Sequence, residues 1–422
     1  MSTLVLQVFL AFFLSRLALE SALLLLNLRH ASAAGTEVPL PLRGRVTSDT
    51  AARSRDYALA KGRFSLFTLA WDSAVRLALL LSGLLPWLDR TLGEALGGAS
   101  RFVAFLVVLS ALEALLSLPL SLYGTFGLEA RFGFNRTSWR TWVADQLKSV
   151  AVALLLGVPL LYAAWLFMSA SGRYWWLWLW AFLALLQVLL LWVYPALIAP
   201  LFNKFSPLPE GELRSRLEGL ARATGFRTRG LFVMDASRRS AHSNAYFMGV
   251  VRPRIVLFDT FLSSMSVDEA EAVLAHEIGH FRLRHLQRRL LFGTAALLAG
   301  LWILSLLARW PPLFQAFGFP APSWQAAVAI LSLGGGAFTF FLAPLAAWTS
   351  RRHEYAADRY SVGHARAPKA LASALVKLSG ENLSNLHPHP WFIAWHYSHP
   401  PLLDRLRALE ESARLLGAVS RP

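Results

Sequence analysis

Cysteine is missing from all 422 residues, which rules out disulfides and thiolate chemistry. A transition metal held by this chain must therefore take nitrogen and oxygen ligands. Acidic groups are scarce: 25 Asp and Glu stand against 41 Lys and Arg, a formal charge of +16. Each carboxylate that falls into a pattern is correspondingly informative. Internal repeats and low-complexity tracts are lacking as well, which excludes solenoid and linker-dominated architectures.

What the chain has in excess is apolar length. It is 55% hydrophobic with a mean hydropathy of +0.46, more than a soluble core of this size needs. A helix crosses roughly 30 Å of hydrocarbon with about 20 apolar residues. Seven stretches qualify: 3–26, 64–88, 102–123, 149–168, 174–197, 290–308 and 324–349. The expectation is a polytopic α-helical membrane protein with the lipid bilayer as its solvent. Ala31-Ser32-Ala33 resembles a signal-cleavage site, but the tract before it is too long, lacks a basic start and contains Arg16 and Glu20, so a retained span is expected.

The basic residues are not spread evenly. The 29–63 connection holds seven and the 124–148 connection four, against two, one and one in the intervening connections. By the positive-inside rule the N-terminus lies outside, while 200–289 and the C-terminal tail are cytoplasmic. Arg282, Arg284, Arg288 and Arg289 would then meet an anionic inner leaflet. Basicity encodes topology here, and no nucleic-acid partner is expected. Charges inside spans are confined to the first three: the i,i+4 pairs Arg16/Glu20 and Asp72/Arg76, and Glu113. Such groups are costly in lipid and should face either each other at a helix contact or a hydrated cavity in the bundle.

His276-Glu277-Ile278-Gly279-His280 carries a complete chemical instruction. On a helix, positions four apart share a face, so both imidazoles can reach one metal ion. Glu277 sits one residue round, close enough to take a proton from the attacking water without being a ligand. Ser266-Val267-Asp268-Glu269 reads as the capping box that starts this helix. A catalytic zinc needs a third protein ligand, and Glu354 is the best candidate. Two spans separate it from His280, and an even number of crossings returns the chain to the same side of the membrane. Arg351, Glu354 and Asp358 fall on one helical face, which lets Asp358 accept the second N–H of a ligating histidine. His353 is about 100° away around the helix and reads as structural. One Zn²⁺ per chain is expected.

Substrate must lie beside the metal, and proteases commonly hold it as an added strand on a sheet edge. Asn244, Ala245, Tyr246 and Phe247 precede the strand-like run 250–258, and the two could form a hairpin around Val251-Arg252-Pro253-Arg254. Its alternative is a plain hairpin with no role in recognition. In the tail, His396-Tyr397-Ser398-His399-Pro400 precedes Arg405. His399 or Arg405 could supply the donor for a developing oxyanion, or His399-Pro400 could simply cap the next helix.

Taken together these motifs resemble the CaaX prenyl protease 1 family of integral-membrane zinc metalloproteases. The resemblance runs through Tyr123-Gly124-Thr125-Phe126 with Glu129 and Phe132-Gly133-Phe134-Asn135, and through Ile198-Ala199-Pro200-Leu201-Phe202-Asn203-Lys204-Phe205. It continues in Asp235 to Ser240 leading into Ser243-Asn244-Ala245-Tyr246-Phe247, the His276 motif, Ser350-Arg351 with Glu354 and Asp358, and Ser398-His399-Pro400-Pro401. It implies seven transmembrane helices enclosing a large hydrated chamber, with a zincin-like α+β metalloprotease domain at the cytoplasmic end. It also implies a peptide or protein substrate, prenylated at a C-terminal CaaX sequence in eukaryotic members, whose backbone lies beside 244–247. Residues 1–199 are read as a five-span block, 200–289 as the cytoplasmic metalloprotease segment, 290–350 as a transmembrane hairpin, and 351–422 as a cytoplasmic tail bearing the third ligand. A cysteine-free, Leu/Ala/Arg-rich chain suits a GC-rich bacterium, hence a bacterial inner membrane. Two other readings stand beside this one. A quality-control protease of the related HtpX type would have fewer spans. A non-catalytic transporter or lipid-binding protein with a structural metal site would have no need of Glu277.

Overall fold

The computed structural model describes residues 1–249, 253–365 and 369–419. Seven of its helices are long and apolar enough to cross a membrane, and they coincide with the seven apolar stretches. The first is α1 (Ser2–Ala33), unbroken throughout. α2 (Ser48–Leu81) begins where the Thr47 hydroxyl accepts the Thr50 amide and is stopped by Gly83 at φ 80°. That left-handed glycine ends the second span at Leu81, not at 88 as hydropathy suggests, and α3 (Leu84–Ala95) is a separate amphipathic helix. α4 (Gly98–Leu122) contains Pro119 and passes into a π-helical turn over Tyr123–Glu129. α5 (Trp139–Ala170), α6 (Trp175–Val193) and the short α7 (Ala199–Phe202) complete the first block.

A four-stranded sheet follows, built from β1 (Phe205–Pro207), β2 (Leu231–Met234), β3 (Ala245–Met248) and β4 (Arg254–Phe258) in the order β1-β2-β4-β3. β2 and β4 are parallel, whereas β1 on β2 and β3 on β4 are antiparallel. β3 therefore forms an edge. Val251 and Arg252 of the expected hairpin turn lie outside the described residues. Against this sheet pack α8 (Glu212–Ala223), α9 (Asp259–Ser264) and α10 (Val267–Arg282), with Ile255, Leu257, Phe261, Leu274 and Ile278 in a fully buried core. The core fixes α10 to the sheet and thereby fixes its metal-binding face.

α11 (His285–Leu307) returns into the bundle and is followed by α12 (Pro311–Ala316). The last crossing is interrupted at Gly335 and again at a 3-10 turn over Phe340–Leu342, giving α13 (Trp324–Gly334), α14 (Gly336–Thr339) and α15 (Ala343–His364). α1 approaches closely there, since a Cβ on Gly334 would stand 3.1 Å from the Phe9 ring. α15 continues past residue 350 without a break, so the boundary drawn there falls inside one helix. α16 (Ala370–Glu381), α17 (Pro390–His396) and α18 (Leu402–Val419) form the tail.

The intramembrane charges separate into two behaviours. Arg16 pairs with Glu20 at 3.0 Å, but Arg76 turns from Asp72 to donate to the Leu333 carbonyl at 3.2 Å. All four line a cavity of about 550 Å³ between α1, α2 and α17. It shares Leu24, Lys61, Ser65, Phe392 and His396 with a second cavity of about 710 Å³ that reaches His399 and Arg405 in the tail. Together they form a chamber inside the bundle, so these four charges face a space that can hold water.

Candidate metal centre and active site

α10 starts on a complete capping box: Ser266 Oγ accepts the Glu269 amide, and Glu269 accepts the Ser266 amide at 2.8 Å. Its buried face lies across α15, and Gly279 sits at the crossing. A Cβ there would stand 3.2 Å from Ala357 Cα and 3.0 Å from Tyr360 Cβ. Ser361 Oγ donates to the Ala272 carbonyl at 2.7 Å and pins the same pair of helices. This close crossing brings the two histidines of α10 against the carboxylates of α15.

His280 Nε2 lies 3.2 Å from Glu354 Oε1, and His276 Nε2 lies 3.6 Å from Glu354 Oε2. The two Nε2 atoms are 3.1 Å apart. One donor atom from each of His276, His280 and Glu354 falls within 4.8 Å of the others. Glu354 is only 4% exposed, and its Oε2 has no aligned hydrogen bond although His399 Nδ1 approaches to 2.8 Å. A buried carboxylate oxygen with no aligned hydrogen bond, beside two imidazoles, fits a divalent cation. The set of two nitrogens and one oxygen leaves a coordination position open, as hydrolytic metal sites require.

Around these groups the side chains form orienting chains. His276 Nδ1 lies 2.8 Å from Asp358 Oδ1, in an ion-pair contact not aligned as a hydrogen bond. Arg405 clamps Asp358 through two bonds of 2.9 and 2.6 Å and is itself 9% exposed. Burial opposes the charge on Arg405, but the Asp358 hydrogen bonds and charge outweigh it and raise its pKa. The guanidinium is thus committed to Asp358, whereas the His399 side chain is 65% exposed. The His399 ring turns to Glu354, and the first turn of α18 is closed by the Asp404 and Arg405 amides on the Pro401 carbonyl. Glu277 is half-buried and walled in by protein. Burial pushes its carboxyl up, against the pull of His276 and His280. For His280, burial opposes protonation, but the Glu354 hydrogen bond and charge prevail and raise its pKa.

Sequence reasoning missed the partner of His280. His285 Nδ1 lies 2.9 Å from His280 Nδ1 and is 4% exposed, with the His353 ring stacked on it at 4.0 Å. Arg284, at φ 57°, turns the chain so that the first residue of α11 points back at the site. β3, the edge strand, packs against α10. Asn244 O accepts the Phe258 amide at 3.1 Å, so by antiparallel alternation the Ala245 carbonyl and both backbone groups of Phe247 face the open side. Tyr246 packs edge-on against Phe258 and Phe247 against Phe226, and burial pushes the Tyr246 hydroxyl up to about 12.

Residues 27–204 match the family model described as CAAX prenyl protease N-terminal, five membrane helices, and residues 207–413 match peptidase family M48. A CAAX prenyl protease 1 homolog of Oryza sativa subsp. japonica is 36% identical over 385 residues, spanning 89% of this chain and 90% of the relative. The chain belongs to the CaaX prenyl protease 1 family. CAAX prenyl protease 1 of Saccharomyces cerevisiae is 34% identical over 411 residues, with 89% of each chain covered. The crystal structure of S. mikatae Ste24p superposes with a TM-score of 0.87 at 32% identity, covering 96% of this chain and 99% of that one. Membership makes this multi-pass membrane protein a metallopeptidase, with seven helices around a chamber and the metal group at one end.

Proposed function

We propose that the protein is a membrane zinc endopeptidase that hydrolyses peptide bonds near the C-terminus of CaaX-type, prenylated substrates. The observation that carries the reading is the convergence of His276, His280 and Glu354 within 4.8 Å, with His399, 2.8 Å from Glu354, lining the chamber next to them. Zinc, when bound, would polarise the scissile carbonyl and acidify water. The chain supplies the rest. His276, His280 and Glu354 hold the ion, while Asp358, clamped by Arg405, orients the His276 ring. Glu277, its carboxyl raised by burial, takes the proton of the attacking water and passes it to the leaving amine. His399 presents an exposed ring toward the developing oxyanion. Arg405 acts through Asp358 rather than on the oxyanion. The open edge at Asn244 to Phe247 receives the substrate backbone as an added strand.

The placement that suits this chemistry is a bacterial inner membrane, with the N-terminus outside and the site facing the cytoplasm. There a prenyl chain can remain in the bilayer while its peptide enters the chamber. The test measures zinc content and cleavage of a farnesylated CaaX peptide, alongside an alkylated peptide of equal hydrophobicity with a scrambled tail. Preferential cleavage of the former, lost in Glu277→Gln, is expected. Equal cleavage at matched membrane-bound concentrations would make the protein a general membrane protease, and undiminished cleavage by Glu277→Gln would remove the mechanism.

A further inference from the structure

Resting on that reading, we infer that Lys61 receives the free carboxylate at the end of the substrate and so measures the cut from the chain terminus. Lys61 lies on α2 and is exposed to the chamber, where it lines both the cavity bounded by His399 and Arg405 and the deeper one adjoining it. The other cations of these walls are committed. Arg405 is bound to Asp358, Arg16 to Glu20, and Arg76 to the Leu333 carbonyl. Among the described residues Lys61 has no anionic partner. Its Nζ stands over the Tyr57 ring, 5.4 Å from the centroid. The Tyr57 hydroxyl in turn donates to Glu129 at 2.7 Å, and Glu129 also meets His242 at 3.2 Å, so that nearby acid already has partners.

An uncommitted ammonium lining such a chamber is a site for an anion. The anion that every substrate of a terminal-peptide protease brings is its own carboxylate, whatever the side chains before it. Three extended residues span about 10 Å, and a cavity of about 710 Å³ falls within the ~300–1,000 Å³ typical of small-ligand sites. A lysine suits this task better than a fixed fork. Its point charge on a flexible stem follows carboxylates carried by leaving peptides of different bulk.

The experiment uses the full-length, zinc-loaded Glu277→Gln protein in lipid nanodiscs, so binding is read without turnover. The probes are a farnesylated CaaX peptide as its free acid and as its C-terminal amide, with the same pair lacking the farnesyl group. The acid is expected to bind about 10-fold more tightly than the amide, the scale of one hydrogen bond to a charged group. Adding Lys61→Met should erase that ratio by weakening the acid alone, and Lys61→Arg should keep most of it. Equal binding of acid and amide with Lys61 in place would overturn the inference, as would a Lys61→Met loss shared by both peptides. If the farnesyl group makes no difference, the prenylated-substrate reading fails, while the acid-to-amide ratio of the bare pair still reports on Lys61.

Discussion

The crossing of α10 and α15 sets the distance between two metal ligands and the third, and Gly279 sets the crossing. Replacing it with alanine adds a Cβ at 3.0 Å from Tyr360 Cβ and 3.2 Å from Ala357 Cα. Carbon atoms rest at about 3.5 Å or more, so the helices must part by roughly 0.3–0.5 Å. Ala357 is fully buried and its Cα belongs to the backbone, so it cannot swing aside as a side-chain tip could. Overpacking of this kind costs about 1–3 kcal/mol, against a helix-propensity gain of about 1 kcal/mol for Gly→Ala. The larger consequence falls on the metal. A parting of this size exceeds the ~0.2 Å tolerance of metal–ligand distances, so zinc affinity should fall by about 10-fold or more while the protein stays folded. Gly363 supplies the control: it lies exposed in α15 with nothing within 4 Å of an added Cβ. Chelator competition on both variants, with thermal unfolding alongside, gives the comparison. Wild-type zinc affinity in Gly279→Ala, or an equal loss in Gly363→Ala, would refute the geometric reasoning.

His276→Ala, His280→Ala and Glu354→Ala should each abolish stable zinc occupancy, measured by metal analysis of purified protein. Full zinc content in Glu354→Ala would remove that residue from the ligand set. Glu277→Gln should keep zinc and peptide binding but lose turnover, because only the proton-transfer base is gone. Asp358→Ala should weaken zinc affinity or rate by about 10- to 100-fold. Arg405→Ala should cost less and add little to Asp358→Ala, since it acts through the same carboxylate. Additive losses would show that Arg405 has a separate role.

The membrane architecture was legible because lipid leaves few choices: a long apolar run either spans or does not exist. Less legible was where each helix stops. Hydropathy cannot see a left-handed glycine, so it carries the second span to 88 although Gly83 ends it at Leu81. Nor does an i,i+4 spacing decide whether a pair closes. Arg16 and Glu20 meet, but the break at Gly335 beside α13 leaves the Leu333 carbonyl within reach of Arg76, and that contact competes with Asp72. The sheet order could not be read either, because the parallel pairing of β2 with β4 depends on how the chain between them is packed.

At the site, the legible part is what helical periodicity and membrane parity govern. His276 and His280 share a face of α10, and an even number of crossings returns Glu354 to their side, where it lies 3.2 Å from His280. What periodicity does not govern was missed. His285 is five residues from His280, off the shared face of any continuous helix, and it faces the site only because Arg284 takes a left-handed conformation between α10 and α11. Arg405 presents the converse case. The tail sequence offers it as one of two candidate donors for an oxyanion, and the structure places it against two buried carboxylates on α15. A buried acid without a partner is costly. With only 25 acidic residues in the chain, the electrostatic demand of Asp358 rather than any local motif determines where that guanidinium goes.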